Sequence, residues 1–141
     1  MSVTQTALSV RFCETDLMGI VHHANYLQYF EVGRVAWLKE RGFSYDRWVA
    51  AGLHLPVVEA SVRYRRAARF DDALVIETWV SALSRVTLRF AYRVLRGADV
   101  VAEGETLLAC VDDAMRPRRL PPEIAAAVGA EPPARTPDRA R

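Results

Sequence analysis

With 141 residues, of which 51% are hydrophobic and 26% charged, the chain has the composition of one ordinary globular domain. Its net charge of +2 is too small to indicate a nucleic-acid partner, and no apolar run reaches the roughly 18 residues of a membrane span. The N-terminal residues also lack the charged start and apolar run of a secretory signal. We therefore expect a cytoplasmic protein without nucleic acid or a membrane span.

The stretch VRFCETDLMGIVHHANYLQYFEVGR (10–34) begins with an apolar strand-like piece and passes through an acidic turn and two adjacent histidines into an amphipathic helix. The helix is predicted over residues 24–42, where Gly42 follows two cations and ends it. Its apolar residues recur at helical spacing and form one stripe, which comprises Tyr26, Leu27, Phe30, Trp37 and Leu38. A shorter helix is predicted over residues 44–52, with Ser44 as its N-cap.

After Pro56 the chain becomes rich in Val, Thr and aromatic residues, which predicts strands over 57–68, 73–83, 86–97 and 100–112. The turns between them are too short for crossovers, so the strands must pair antiparallel. With the first strand they make five, and the long helix covers one face of the sheet. The uncovered face and edge favour association with a second copy.

We expect one domain over residues 1–128. The tail over residues 129–141 contains three prolines and almost no apolar residues, and is expected to be disordered.

The sequence gives little reason to expect a metal or a disulfide. Cys13 and Cys110 are far apart and have no ligand-like spacing, which favours reduced thiols. His22 and His23 are adjacent and therefore point in different directions, and there is no His-x₃-His or Cys-x₂-Cys pair. We expect neither metal nor cofactor.

The residues Glu14-Thr15-Asp16, Gly19 and His23-Ala24-Asn25-Tyr26 resemble the opening segment of the hotdog-fold acyl-CoA thioesterases of the 4-hydroxybenzoyl-CoA thioesterase type. The resemblance is closest to the branch associated with the Tol-Pal cell-envelope cluster. Similar segments at 62–78 and 107–121 extend it over residues 8–125. The resemblance implies an α+β hotdog fold, in which a five-stranded antiparallel sheet wraps around one long helix.

The resemblance also implies an activity and partners. The reaction is hydrolysis of an acyl-CoA to the free acid and CoA, by a homodimer that pairs into a homotetramer. Lipid or envelope complex proteins are the further partners to consider. Close relatives often have tyrosine where this chain has Phe12, so a hydroxyl near the catalytic carboxylate is missing.

The same resemblance assigns roles to individual residues. Asp16 is the catalytic carboxylate, and the backbone N–H of His23 lies in the oxyanion hole. We expect Gly19, Val21, Asn25 and Tyr26 to line the pocket. The turn at Ser84 and Arg85 resembles the family's position at the nucleotide end of CoA, and Arg65 and Arg118 are further candidates because arginine suits phosphates.

The chemistry is consistent with these roles. A thiol with a pKa near about 8.5 leaves as the thiolate, so the reaction needs only a base or nucleophile and donors for the oxyanion. The first N–H groups of a helix are such donors.

Several alternatives stay open. Asp16 is also suited to an Asx turn, and His23 to capping the helix. Glu14 is expected to be solvated or paired with an arginine, and Glu31 to pair with Arg34. A hotdog β-hydroxyacyl dehydratase would pair His23 with Glu31 across a dimer, and a non-catalytic acyl-binding protein is favoured by Phe12. The acyl preference depends on how Leu53, His54, Leu55 and Pro56 pack across a dimer.

Overall fold

The computed structural model of the chain describes residues 3–130. The strands are β1 (Thr4–Ser9), β2 (Val57–Tyr64), β3 (Ala73–Leu83), β4 (Thr87–Arg96) and β5 (Asp99–Ala109). The helices are α1 (Asn25–Glu40), α2 (Tyr45–Ala50) and α3 (Pro122–Ala130). The strands form one antiparallel sheet in the order β1-β3-β4-β5-β2, which confirms the predicted α+β architecture.

Helix α1 lies across one face of the sheet. Its buried residues are Tyr26, Tyr29, Phe30, Gly33, Trp37 and Leu38. Leu27 was predicted to belong to this stripe, but it is 43% exposed, and Tyr29 is buried instead. The helix is followed by Gly42, whose φ of +79° is a left-handed conformation that glycine adopts without strain. Helix α2 begins after Ser44, whose hydroxyl accepts a hydrogen bond from the Arg47 N–H, as predicted.

The sheet face under α1 is apolar and fully buried at its centre. Ile76 pairs with Val94 and Thr78 pairs with Tyr92 across β3 and β4, so the four side chains share this face. The Phe30 ring stacks on Tyr92 with centroids 4.4 Å apart. Aromatic contacts of this kind contribute about 0.5–1.5 kcal/mol beyond burial and fix how α1 lies on the sheet.

Two structural elements differ from the sequence predictions. The apolar piece that begins at Val10 is not a strand: β1 comes before it and ends at Ser9, and Phe12–Glu14 forms a 3₁₀ turn. Helix α3 was not predicted, although Pro122 at a helix start and the following EIAAAV favour one. The predicted tail beyond α3 lies outside the described residues.

The helix and the sheet approach so closely that glycine is required at the contact. A Cβ on Gly104 of β5 would clash with the carbonyl oxygen of Ser61 on β2 and would lie 2.7 Å from Phe30 Cε2. The carbonyl belongs to the backbone of a paired strand, so rotation of a side chain does not relieve the clash.

We therefore predict that Gly104→Ala lowers the free energy of unfolding by about 1–3 kcal/mol or more through overpacking. Urea denaturation measures this change. The control is Ser61→Ala, at an exposed position of β2. Its free energy of unfolding should stay within about 0.5 kcal/mol of the wild-type value. A urea midpoint for Gly104→Ala equal to that of wild type would contradict the prediction and show that β2 shifts to make room for the Cβ.

Candidate active site

Residues 14–22 form a small hairpin that leads into α1. The His22 N–H donates to the Glu14 carbonyl and the Asp16 N–H donates to the Ile20 carbonyl, both at 2.9 Å. Thr15 and Val21 form the bridge between these bonds. The chain reverses at Gly19, whose φ is +75°. Asp16 is thereby held close to the tip of a hydrogen-bonded loop.

Asp16 has one carboxylate oxygen engaged and one available. Its Oδ1 accepts the Met18 N–H at 2.9 Å, which confirms the Asx turn. No hydrogen-bond partner for Oδ2 exists among residues 3–130. The side chain is half-buried and lines a groove, so the turn role and a chemical role are compatible.

The start of α1 presents a free backbone donor. The Ala24 N–H donates to His22 Nδ1 at 3.1 Å, and neither histidine side chain caps α1, contrary to the prediction for His23. The ring of His23 stacks on that of His22, with centroids 4.1 Å apart. Within the described part of the chain, the His23 N–H has no acceptor. Tyr64 holds this segment from β2, because its hydroxyl donates to the His23 carbonyl at 2.9 Å.

The groove beside these groups has a volume of about 330 Å³. It is lined by Asp16, Met18, Ile20, Val21, His23, Tyr26, Tyr64, Arg65, Arg66 and Ala67. The structure thus brings together five residues that the sequence predicted for the site: Asp16, Val21, His23, Tyr26 and Arg65. Tyr64, the last residue of β2, was not predicted for the site, because its position within a predicted strand does not reveal its bond to the His23 carbonyl.

Two predicted pocket residues do not line the groove. The Asn25 side chain is occupied, since its Nδ2 donates to the Glu14 carbonyl at 2.8 Å. Gly19 serves the turn: a Cβ there would meet only Arg69 Nη1, at 3.6 Å, so its left-handed φ and not a close approach requires glycine.

The predicted CoA-binding residues divide between the two ends of the sheet. Arg65 lines the groove, and its Nε donates to Glu103 at 3.0 Å. Arg96, the last residue of β4, lies at the groove, because its guanidinium donates to the carbonyl of Ala67, which lines the groove. Strand β4 then extends roughly 30 Å away from the groove, at about 3.3 Å per residue.

The other three candidates lie at the far end. The Ser84 hydroxyl accepts the Thr87 N–H in the β3–β4 turn, next to Arg85. The Arg118 guanidinium donates to the Ala51 carbonyl at 3.1 Å. One chain therefore does not bring Ser84, Arg85 and Arg118 to its own groove.

Glu14 is buried, being only 7% exposed, and it pairs with an arginine as predicted. Its Oε1 accepts the Arg11 N–H at 2.8 Å and the Tyr29 hydroxyl at 3.0 Å, and its Oε2 accepts Arg11 Nε at 3.1 Å. Burial by itself would raise the pKa of Glu14, but the hydrogen bonds from Arg11 and Tyr29 together lower it. Burial, and the bond to this carboxylate, raise the pKa of Tyr29.

The remaining candidates lie elsewhere. Glu31 pairs with Arg34 at 3.4 Å as predicted and does not line the groove of its own chain. The ring of Phe12 is 75% exposed and lies against Phe70.

Leu53 and Leu55 are buried in the core of their own chain, and His54 Nε2 lies 2.6 Å from Asp113 Oδ1. Cys13 and Cys110 are both free, and Cys13 is exposed whereas Cys110 is buried. Among residues 3–130 no three His, Cys, Asp or Glu side chains form a group suited to a metal ion. None of the helices in that range is long and apolar enough to cross a membrane.

We predict that Glu14 makes the stability of the fold depend on pH. A carboxylate with a lowered pKa stabilises the folded state above its unfolded pKa of about 4.3, and this contribution is lost as pH falls through the folded value. The free energy of unfolding of wild type should therefore exceed that of Glu14→Gln most at pH 6–7, and the difference should shrink below about pH 4.3.

Urea denaturation between pH 7 and pH 3 measures the difference. Glu123→Gln, at an exposed position in the first turn of α3, is the control and should follow wild type throughout. A difference between wild type and Glu14→Gln that is constant over this range would contradict the prediction.

Comparison with known proteins places this groove in a family. Residues 10–128 match the model of the Thioesterase-like superfamily. The acyl-CoA thioester hydrolase YbgC of Escherichia coli O6:H1 is 34% identical over 83% of this chain and 89% of its own length. The acyl-CoA thioesterase YbgC of Haemophilus influenzae is 33% identical over 84% of this chain and 88% of its own length.

A solved structure agrees with these relatives. The crystal structure of the DHNA-CoA thioesterase from Staphylococcus aureus superposes with a TM-score of 0.88 at 29% identity, covering 92% of this chain and 90% of that one. The predicted hotdog fold, with α1 packed on the five-stranded sheet, is thereby confirmed. The chain belongs to the Thioesterase-like superfamily of hotdog-fold proteins.

Proposed function

We propose that the protein hydrolyses acyl-CoA thioesters to a free acid and CoA. The observation that carries the proposal is that one groove contains both a carboxylate oxygen of Asp16 with no described partner and the His23 segment, whose N–H has no described acceptor. Relatives that are about a third identical over most of their length are named acyl-CoA thioester hydrolases, which supports the same reaction.

The two groups perform complementary steps. Asp16 either takes a proton from water as the water attacks the thioester carbonyl, or attacks the carbonyl itself to give a mixed anhydride that water then hydrolyses. The developing oxyanion accepts a hydrogen bond from the His23 N–H, at the positive end of the α1 dipole. As the oxyanion collapses, the C–S bond breaks and CoA departs as the thiolate, which leaves the free acid in the first route and the mixed anhydride in the second.

The active unit in this proposal is a homodimer formed through β2. This strand is at one edge of the sheet and is exposed along nearly its whole length, with Val58 57% exposed. An unprotected apolar edge of this kind is a template for pairing with another strand. Antiparallel pairing of β2 with its copy satisfies the backbone groups of both edges and is isologous.

A twofold axis through this strand pair exchanges the two ends of the sheet. The end that carries Ser84, Arg85 and Arg118 in one copy then lies at the end that carries the groove in the other. This placement supports a role for these residues with CoA, because arginine suits the phosphates of the nucleotide. The half-buried His54, between the buried Leu53 and Leu55, lies at the same end and would border the acyl group.

Further assignments belong to the same proposal. The sheet face away from α1 is free to pair dimers into a homotetramer. Membership of the Tol-Pal-associated branch, with lipid or envelope complex proteins as partners, rests on the motif from Glu14 to Tyr26. A cytoplasmic location is supported by the free and exposed Cys13, since thiols persist in reducing compartments.

We predict that Asp16→Asn lowers kcat for acyl-CoA hydrolysis by at least about 100-fold. The amide keeps an oxygen for the Met18 N–H, so the Asx turn is retained while the base or nucleophile is lost. Release of CoA, followed with a thiol reagent across short, long and aromatic acyl groups, measures the effect. Asp46→Asn, at an exposed site in α2, should be unchanged. Turnover that survives in Asp16→Asn would refute the role of Asp16.

We also predict that the protein sediments at two or four times its chain mass of 15.8 kDa. Val58→Glu places a charge at the β2 edge of each chain, so it should give a monomer whose KM for acyl-CoA is raised at least about tenfold. Arg85→Ala should raise this KM by a similar factor while the dimer stays intact. Val49→Glu, an equally drastic change at an exposed site of α2, is the control. If the wild-type protein were a monomer and fully active, the proposal that the dimer is the active unit would be refuted.

A further inference from the structure

Helix α1 is joined to the Asp16 loop by two side chains one turn apart. Asn25 and Tyr29 are separated by four residues, so they lie on the same face of the helix. Both donate to Glu14: Asn25 Nδ2 to its carbonyl oxygen at 2.8 Å, and the Tyr29 hydroxyl to its carboxylate at 3.0 Å. The helix therefore holds Glu14 of the loop both by the Glu14 backbone and by the Glu14 side chain.

The same residue holds the two arms of the loop together. The Glu14 carbonyl also accepts the His22 N–H, which closes the hairpin that carries Asp16. Its carboxylate accepts the backbone N–H and the Nε of Arg11 from the preceding segment. A carboxylate that is 7% exposed and has three donors has little freedom to move, since each lost bond would leave a buried polar group unsatisfied.

We infer that Glu14 and Tyr29 are a positioning pair, whose hydrogen bond sets the place of the Asp16 carboxylate relative to the His23 N–H at the start of α1. The inference rests on the proposed function, since it explains how the two reacting groups keep their relative geometry. Asp16 follows Glu14 by two residues, and Tyr29 lies in the second turn of the helix that His23 precedes. Neither Glu14 nor Tyr29 lines the groove, so both act through Asp16 and His23.

The expected effect is on kcat. A displacement of about 1 Å in a reacting group costs about 100-fold in rate, and a partial loosening costs less. Substrate binding uses other contacts of the groove, so KM should change little. A purely structural role would instead lower the stability of the protein and leave the kcat of the folded molecules intact.

Tyr92 provides a matched control. Its hydroxyl is also buried and bonded, in this case to Thr106 in the core between β4 and β5, away from the loop. Tyr29→Phe and Tyr92→Phe each remove one buried hydroxyl and keep the ring. The first removes one of the three donors to the Glu14 carboxylate, and the second removes the hydroxyl partner of Thr106. Only the first removes a contact between the Asp16 loop and α1.

The experiment compares these two variants with wild type in the full-length protein. We expect Tyr29→Phe to lower kcat at least about tenfold with KM within about twofold, and Tyr92→Phe to leave both within about twofold. Glu14→Gln should lower kcat as well. The double variant Glu14→Gln/Tyr29→Phe should lose less than the product of the two single effects, because both changes act on one contact.

The proposal is overturned if Tyr29→Phe keeps kcat within about twofold of wild type, or if Tyr92→Phe loses as much. Amide hydrogen exchange followed by NMR gives a readout that does not need activity. The Asp16 and His22 amides should exchange at least about tenfold faster in Tyr29→Phe and stay unchanged in Tyr92→Phe. If wild type hydrolysed no acyl-CoA, the proposed function would fail, and the exchange rates would still decide the positioning role.

Discussion

The packing of α1 on the sheet is so close that two contacts leave no room for a side chain. Gly33 of the helix lies against Thr78 and Ile76 of β3, and Gly104 of β5 lies beneath Phe30 of the helix. The two contacts lie on different strands, so together they set both the height and the direction of the helix axis. The start of α1 consequently lies beside the end of β2, where Tyr64 reaches the His23 carbonyl. The packing of α1 on the sheet thus fixes where the helix begins, and the groove lies at that point.

Polar contacts then place the loop that the apolar packing leaves undetermined. Glu14 is a buried carboxylate at the edge of an otherwise apolar contact, and its burial is tolerated because Arg11 and Tyr29 satisfy it. Its charge and that of Asp16 lie near the start of α1, where the helix dipole favours negative groups. The same dipole that would stabilise a developing oxyanion thus also stabilises the loop that carries the carboxylate.

Much of the fold was predictable, because it depends on local spacing. The five strands, both early helices and the Glu31–Arg34 pair followed from periodicity and from neighbours three or four residues apart. Apart from the missed helix α3 and the residues after Ser9 that are not a strand, the errors concern the orientation of a local element. Leu27 and Tyr29 both fit a broad apolar stripe, and only the position of α1 on the sheet buries Tyr29. Likewise, adjacent histidines do not indicate which ring reaches the Ala24 N–H.

The sequence by itself determined the order of the elements and, through its resemblance to a known family, the chemical groups of the site. Asp16 and the start of α1 are close along the chain, so a short hairpin is enough to bring them near each other. The tertiary structure alone decided that Glu14 is buried against Tyr29 and that Ser84, Arg85 and Arg118 lie at the far end of the sheet. Periodicity describes geometry over a few residues, whereas the distance between remote segments depends on how helix and sheet pack.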